Sequence, residues 1–206
     1  MSSATTSKTG FNLHYRTIDL VTITTLAVAC GVIFWGWGKI YEPLSFGSIT
    51  AYPPMAGLFG GPWLIAGVLG GLIVRRPGAA LATEMLAALV EMLFPGGTQW
   101  GSGVLASGFW QGLGVELVLA VFLYTRFNIA VAAIAGAAAG AIESAAYEWH
   151  TYYPDWEIGY RLAHLGLFAV SGALIAGVGG WALTRALARA GVLDAFPAGR
   201  EQVSEV

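Results

Sequence analysis

The sequence predicts an all-α, polytopic membrane protein: a bundle of six transmembrane helices whose N- and C-termini both lie in the cytoplasm. Three observations support this prediction, namely the composition, six long apolar segments and the uneven placement of basic residues. Of the 206 residues, 56% are hydrophobic and only 11% are charged, whereas a soluble domain carries about 25% charged residues. One crossing of the hydrocarbon core takes about 20 apolar residues, so six crossings use most of the chain.

The first three apolar segments are bounded by polar residues, glycine or proline. The first, residues 17–38, follows a polar start that lacks the cleavage pattern of a removed signal peptide, so we interpret it as an uncleaved signal-anchor. The second, residues 55–74, ends at the sequence Arg-Arg-Pro-Gly. The third, residues 79–94, ends at Pro-Gly-Gly. Both endings are typical of turns between helices.

The last three segments complete the count. The fourth, residues 103–125, ends at Arg126, and the fifth and sixth are residues 128–147 and 158–187. The prediction therefore divides the chain into a cytoplasmic tail, a six-helix substrate-binding domain and a second cytoplasmic tail. Their bounds are residues 1–15, 16–190 and 191–206.

The basic residues predict the orientation, because cytoplasmic loops of membrane proteins carry an excess of Lys and Arg. With six helices and a cytoplasmic N-terminus, only Lys39 and Arg161 lie outside. The other eight of the ten basic residues lie inside: Lys8, Arg16, Arg75, Arg76, Arg126, Arg185, Arg189 and Arg200. One helix more or fewer would destroy this asymmetry.

Aromatic residues gather at the predicted outer face, in or near the connections 39–54, 95–102 and 148–157. They are Trp35, Trp37, Tyr41, Tyr52, Trp100, Trp149, Tyr152, Tyr153 and Trp156. A belt of aromatic residues at the membrane interface is one interpretation. A pocket lined by rings and capped by loops is the other, and we favour it because the inner face has far fewer aromatic residues.

Four carboxylates lie within apolar segments: Glu84, Glu91, Glu116 and Glu143. A charged side chain at the centre of the bilayer costs roughly 2.5–3.5 kcal/mol on insertion scales, so such residues normally face the bundle interior and serve a ligand or a pathway. Glu84 and Glu91 are seven residues apart and share one helix face, as do Glu143, Tyr147 and His150. A protonated glutamate bonded between helices is the structural alternative.

The spacing predicts a substrate pocket, because aromatic faces attract cations and a carboxylate supplies charge in a low dielectric. A flat organic cation is the ligand that suits such a pocket. The predicted substrate-binding residues are Glu84, Glu91, Trp110, Gln111, Glu143, Tyr147 and His164. A stand-alone proton-coupled carrier or channel that uses Glu84, Glu116 and Glu143 as a relay stays open, as does a membrane enzyme or a purely structural bundle.

Other chemistries find little support in the sequence. A phosphate-binding loop of the G-x-x-x-x-G-K-[ST] type does not occur, so the chain does not hydrolyse ATP by that route. Three His and one Cys poorly support a His/Cys metal site, and we predict neither a metal nor a cofactor. A serine protease pairing of Ser102 or Ser107 with His164 has no further support. The net charge of −2 gives no reason to expect nucleic-acid binding.

Small residues form a stripe on the first helix: Thr25, Ala27, Ala29 and Gly31. They make two overlapping small-x-x-x-small pairs, a spacing that lets helix backbones approach closely in lipid. The pattern fits docking of another membrane protein and internal packing equally well.

Three stretches carry a resemblance to a known family: residues 16–20 leading into 31–37, residues 60–63, and residues 78–84. With the six helices, the stripe and the outer pocket, the chain resembles the S components of energy-coupling-factor (ECF) vitamin transporters, and within them the YkoE group. The resemblance covers most of residues 16–190. It implies a non-catalytic subunit in the cell membrane of a bacterium or archaeon, which binds thiamin or its hydroxymethylpyrimidine moiety at the outer face.

The resemblance also implies partners. An S component associates with a transmembrane coupling protein, the T component, and with two cytoplasmic ATPases. The stripe of Thr25, Ala27, Ala29 and Gly31 resembles the surface used for that docking. The resemblance further implies that uptake involves reorientation of the whole S component in the bilayer.

Overall fold

The computed structural model describes residues 13–204, and all regular secondary structure in that range is helical. Two short 3₁₀ segments, Pro53–Phe59 and Gly61–Leu64, precede the second α-helix. The helices are α1 (Thr17–Ala51), α2 (Ile65–Val74), α3 (Ala79–Leu93), α4 (Gly103–Val121), α5 (Ile129–Thr151), α6 (Ile158–Arg189) and α7 (Pro197–Ser204).

Four of these helices are long and apolar enough to cross a membrane: α1, α4, α5 and α6. A fifth crossing results if the bent pair Pro53–Phe59 and Gly61–Val74, which meet at 43°, counts as one span. Helix α3 has 15 residues, fewer than the roughly 20 that a perpendicular crossing needs. An all-α, multi-pass membrane protein is therefore confirmed, whereas the count of six crossings and the orientation stay predictions.

The first two apolar segments differ from the prediction. Helix α1 runs on through Pro43 to Ala51, so most of the predicted outer connection 39–54 is helical. Ring contacts of Tyr41 with Phe59, Trp63 and Trp100 hold this extension against the bundle. The second segment is α-helical only from Ile65 onward.

Glycine allows the start of the second segment to pack closely against α6. A Cβ on Gly57 would lie 2.6 Å from the carbonyl oxygen of His164, and one on Gly61 would lie 2.4 Å from Ser171 Oγ. Ser171 Oγ donates to the carbonyl of Leu58 and accepts from the N–H of Gly61. The 3₁₀ segments therefore lie directly on the backbone of α6.

Helices α5 and α6 each contain a π-helical stretch, Ser144–Glu148 in α5 and Gly172–Gly179 in α6. The two helices touch backbone to backbone, since a Cβ on Gly136 or on Gly172 would lie 2.2 Å from the other glycine's carbonyl oxygen. A π turn inserts one extra residue and changes which side chains share a face. This shift matters for the cavity described below.

Helix α2 is the centre of the bundle, with nine of its ten residues buried. Its Leu69 and Ile73 belong to an apolar cluster with α1 and α3. Its Val68 and Leu72 belong to a second cluster with α4, α5 and α6. A helix that is apolar on all sides is expected in such a fully enclosed position.

Charged residues tie the helix ends together at one end of the bundle. Asp19, fully buried, accepts from Arg16 (Nη2 to Oδ1, 2.7 Å) and from Arg76 (Nε to Oδ2, 2.8 Å). The carboxylate of Glu201 pairs with the guanidinium of Arg75, which holds the pKa of Glu201 below its usual range. The N-terminus of α1, the α2–α3 turn and α7 therefore meet here.

Part of the predicted C-terminal tail packs on the bundle. Leu193, Phe196 and Ala198 are buried in the same apolar cluster as Ile23 and Ala27 of α1. Lys8, assigned to the inner side, and most of the predicted tail 1–15 lie outside the described residues.

Candidate substrate-binding cavity

A cavity opens at the other end of the bundle, where α1, α3 and α5 finish and α4 and α6 begin. It holds about 640 Å³ of empty space including its opening. Its lining residues are Phe34, Tyr41, Ala56, Gly60, Trp63, Ala88, Glu91, Trp100, Val104, Ser107, Gln111, Glu143, Glu148, Tyr152, Tyr153, His164 and Phe168.

One wall consists of three mutually contacting rings, Tyr41, Trp63 and Trp100. The Trp63 and Trp100 rings meet edge to face with centroids 4.9 Å apart, and Tyr41 lies 5.4 Å from Trp63 and 5.5 Å from Trp100. Rings held by one another present fixed faces to the cavity. Such faces suit a flat or cationic ligand.

Glu91 lies beside this wall near the C-terminal end of α3 and is 2% exposed. The indole Nε1 of Trp63 donates to Glu91 Oε1 at 3.3 Å. Since Glu91 already has a donor from the protein, it is fixed as part of the aromatic wall. Glu91 thus places a carboxyl group next to the Trp63 ring.

The opposite wall is built around His164 of α6. Ser144 Oγ is 2.9 Å from Nδ1 of His164, and Oε2 of Glu148 is 3.3 Å from its Nε2. The rings of Tyr153 and Phe168 flank the imidazole at 5.1 and 5.8 Å. Ser144 of α5 therefore hydrogen-bonds one ring nitrogen of His164, Glu148 lies close to the other, and aromatic rings pack against the imidazole.

The structure brings four of the seven predicted substrate-binding residues to the cavity: Glu91, Gln111, Glu143 and His164. Glu84, Trp110 and Tyr147 are not among the residues that line it. Lining a cavity is a geometric fact, and binding by these residues stays a prediction.

Glu84 lies in the core between α2, α3 and α4. It is fully buried, and its Oε2 accepts from the N–H of Gly67 at 2.5 Å. That N–H belongs to the first turn of α2, where backbone donors have no intrahelical partner. Glu84 therefore accepts a hydrogen bond at the N-terminus of α2, and its role in substrate binding stays a prediction.

Tyr147 does not line the cavity because of the π turn in α5. In an α-helix Glu143 and Tyr147, four residues apart, share a face, but the extra residue of the turn gives that place to Glu148. The hydroxyl of Tyr147 lies instead toward Gly103, and its ring contacts Tyr152 at 5.6 Å. Trp110 is half-buried and meets the ring of its neighbour Phe109 edge to face.

Sequence reasoning missed Trp63 and Glu148 as lining residues. A tryptophan in the Gly-Gly-Pro-Trp stretch was a visible signal, since that stretch supported the family resemblance. The place of Glu148 had no such signal, because α-helical spacing puts it on another face. Tyr41, Trp100, Tyr152 and Tyr153 belonged to the predicted outer aromatic cluster.

Glu116 of α4 was proposed for the alternative proton relay. Its carboxylate lies at the N-terminus of α3, the end away from the cavity. Its Oε1 accepts from the N–H groups of Ala80 (2.7 Å) and Leu81 (3.3 Å), and the hydroxyl of Tyr124 donates to its Oε2. Glu116 thus caps the N-terminus of α3. It does not line the cavity.

The predicted docking stripe of α1 divides into two pairs. Ala27 is 1% exposed, and a Cβ on Gly31 would lie 2.6 Å from the carbonyl oxygen of Ala87, so this pair packs inside against α3. Thr25 and Ala29 are exposed. Only the second pair is therefore available to a partner in this conformation.

Metal binding has no counterpart in the described part of the chain, where no three His, Cys, Asp or Glu side chains are grouped to hold an ion. The lining of the cavity instead combines carboxylates with aromatic rings. Such a combination is able to hold a flat organic cation.

Comparisons with known proteins agree with this architecture. A family model described as the permease component of an ABC-type cobalt transport system matches residues 18–142. The chain is 34% identical over 194 residues to YkoE of Bacillus subtilis (strain 168), which is named as a candidate HMP/thiamine permease, and the match covers 91% of this chain and 92% of YkoE. A crystal structure of an S-component of an ECF transporter matches with a TM-score of 0.78 and 28% identity, over 93% of this chain and 95% of that one.

The family model spans more than half of the chain, and the identity to YkoE extends over nearly all of both proteins. Relatives of this kind are substrate-binding transporter subunits and not enzymes. The chain therefore belongs to this permease family and is an S component of the ECF transporters, of the YkoE type.

Proposed function

We propose that this S component binds thiamin or its hydroxymethylpyrimidine moiety in the cavity and serves an ATP-driven importer. The observation that supports this most directly is the lining, which combines three carboxylates, Glu91, Glu143 and Glu148, with the rings of both walls. The name of the relative YkoE points to the same class of ligand.

The chemistry of thiamin fits each part of the lining. Its thiazolium ring carries a fixed positive charge, which aromatic faces attract, and carboxylates complement that charge strongly where water is excluded. Its aminopyrimidine ring is flat and carries hydrogen-bond donors and acceptors. Gln111, 8% exposed, offers an amide that both donates and accepts.

The placement of the chain in the membrane is part of the proposal. Six crossings with both ends in the cytoplasm put the cavity at the outer face and Arg16, Arg75 and Arg76 at the inner face, in agreement with the positive-inside rule. The T component would contact the exposed Thr25 and Ala29 of α1, and two ATPases would supply the energy. The membrane would be that of a bacterial or archaeal cell.

A binding titration tests the substrate. Thiamin added to the detergent-purified protein should quench tryptophan fluorescence, because Trp63 and Trp100 line the cavity, and hydroxymethylpyrimidine should compete. Glu91→Gln should weaken the binding of thiamin more than the binding of the neutral hydroxymethylpyrimidine. Glu157→Gln, which changes an exposed carboxylate outside the lining, is the matched control. If neither compound changes the tryptophan fluorescence, the assignment of thiamin or hydroxymethylpyrimidine as the substrate is refuted.

A reconstitution tests the energy source. Liposomes that contain this chain with its T component and ATPases should accumulate thiamin when ATP is supplied. Liposomes that contain the chain alone should not accumulate it in response to a proton gradient. If the chain alone takes up thiamin in response to the proton gradient, ATP coupling is refuted and the protein is a proton-coupled carrier.

A further inference from the structure

The π turn of α5 puts two carboxylates on one wall of the cavity. Glu143 precedes the turn and Glu148 ends it. In a regular α-helix, residues five apart point about 140° away from each other, so both could not face one cavity. The i to i+5 pattern of a π turn brings them to the same side, and both line the cavity.

Each of these carboxylates has a buried oxygen without a hydrogen-bond donor among residues 13–204. Glu143 is 1% exposed, and its Oε2 accepts no hydrogen bond. Oε2 of Glu148 is also buried, and although His164 Nε2 lies 3.3 Å away, the pair does not have the alignment of a hydrogen bond. Buried polar atoms are normally satisfied, so two unsatisfied acceptors in one cavity indicate a ligand that supplies donors.

The wall near Glu91 has the opposite character. Glu91 already receives the indole N–H of Trp63, and the Trp63 ring in turn contacts the rings of Tyr41 and Trp100. Such a wall attracts a positive ring through its π faces and needs no N–H group from the ligand. One side of the cavity therefore requires hydrogen-bond donors from the ligand, and the other side favours a positively charged ring.

We propose, on the basis of the proposed function, that this division fixes the orientation of the ligand. An exocyclic amino group on a heteroaromatic ring donates its two N–H bonds to Glu143 and Glu148. A ring cation without N–H groups lies between Tyr41, Trp63 and Trp100, beside Glu91. In thiamin, the aminopyrimidine therefore faces α5 and the thiazolium faces the aromatic wall. The site selects ligands that carry the amino group.

Oxythiamin tests this orientation, because it carries a carbonyl oxygen where thiamin carries the amino group. Titration calorimetry on the wild-type protein should show thiamin binding about ten-fold or more tightly than oxythiamin, since a carbonyl facing two carboxylates loses hydrogen bonds to charged groups. Glu148→Gln should reduce the ratio of thiamin affinity to oxythiamin affinity about five-fold or more, because the glutamine amide can donate a hydrogen bond to the carbonyl of oxythiamin.

Three further variants complete the experiment. Glu143→Gln should narrow the ratio as Glu148→Gln does, and it tests the same point if Glu148→Gln does not fold. Glu91→Gln should lower the affinities for thiamin and for oxythiamin and leave the ratio of the two affinities unchanged. Glu157→Gln should change neither affinity.

The outcomes separate the two proposals. If the wild-type protein binds thiamin and oxythiamin equally, or if Glu91→Gln alone changes the ratio, the orientation is wrong and the substrate assignment stands. If the protein binds neither thiamin nor hydroxymethylpyrimidine, both proposals fail.

Discussion

Replacing Glu116 by alanine should destabilise the protein and leave ligand binding intact. The Glu116 carboxylate accepts the N–H groups of Ala80 and Leu81 in the first turn of α3 and the hydroxyl of Tyr124. Alanine removes all three acceptor contacts. The N–H groups of a first helical turn have no partner within the helix, so no other acceptor replaces the carboxylate.

The expected magnitude follows from these contacts. The bond from Ala80 is buried, and leaving a buried donor unsatisfied costs about 1–3 kcal/mol. The bonds from Leu81 and Tyr124 are only partly buried and add less, so we expect a total of about 3 kcal/mol. A chain of this size loses about 2–4 °C in Tm per kcal/mol, which gives a decrease of about 6–12 °C.

Thermal unfolding of the detergent-purified protein measures this decrease. Glu116→Gln is the matched control, since its amide oxygen still accepts from the first turn of α3, and it should lower Tm much less. Thiamin affinity of the folded alanine variant should equal that of the wild type because Glu116 lies outside the cavity lining. An unchanged Tm together with lost uptake would refute the capping role and favour the proton relay.

Three other substitutions test separate parts of the structure. Gly172→Ala should lower Tm by several degrees, because its Cβ would lie 2.2 Å from the carbonyl oxygen of Gly136, whereas Gly166→Ala, whose Cβ meets no described atom within 4 Å, should not. Ala29→Phe on the exposed face of α1 should abolish co-purification with the T component and ATPases while thiamin still binds, and Leu117→Phe on the exposed face of α4 should have no effect. Glu201→Gln should lower Tm slightly at pH 7, since the pair with Arg75 is half exposed. Because the pKa of Glu201 is lowered in the folded state, its stabilisation is lost as the pH falls below the usual value of about 4.3, and wild type and variant should converge there.

Much of the fold could be predicted because apolar segments and buried carboxylates are strong signals. The bounds of α3 and the start of α4 agree with the sequence to within a residue, since Gly78, Pro95 and Gly103 mark the turns. The four carboxylates predicted inside the bundle, Glu84 included, are all buried. Their individual roles were not visible, because an N-terminal cap and a cavity wall impose the same apolar surroundings on a glutamate.

The rest depends on contacts between distant residues. The helical extension beyond Gly38 is held by rings of Phe59, Trp63 and Trp100, which a local pattern does not reveal. The π turn, which puts Glu148 rather than Tyr147 at the cavity, was not visible in the α-helical spacing that the prediction used. The division of the α1 stripe, with Gly31 against α3 and Ala29 exposed, likewise depends on how the helices are rotated.

Helix α3 spans only about 22 Å, from its 15 residues at 1.5 Å each, which is about 8 Å less than an average hydrocarbon core. Leu86 and Leu93 on its outer side are exposed to the surroundings, so if α3 is one of the six proposed crossings, the lipid next to it must thin to match its length. Thinning costs fractions of a kcal/mol per Å of mismatch, and short-chain lipids reduce that cost. In the proposed arrangement of six crossings, the bilayer beside α3 is therefore locally deformed, and a deformed patch favours any neighbour or movement that relieves the deformation.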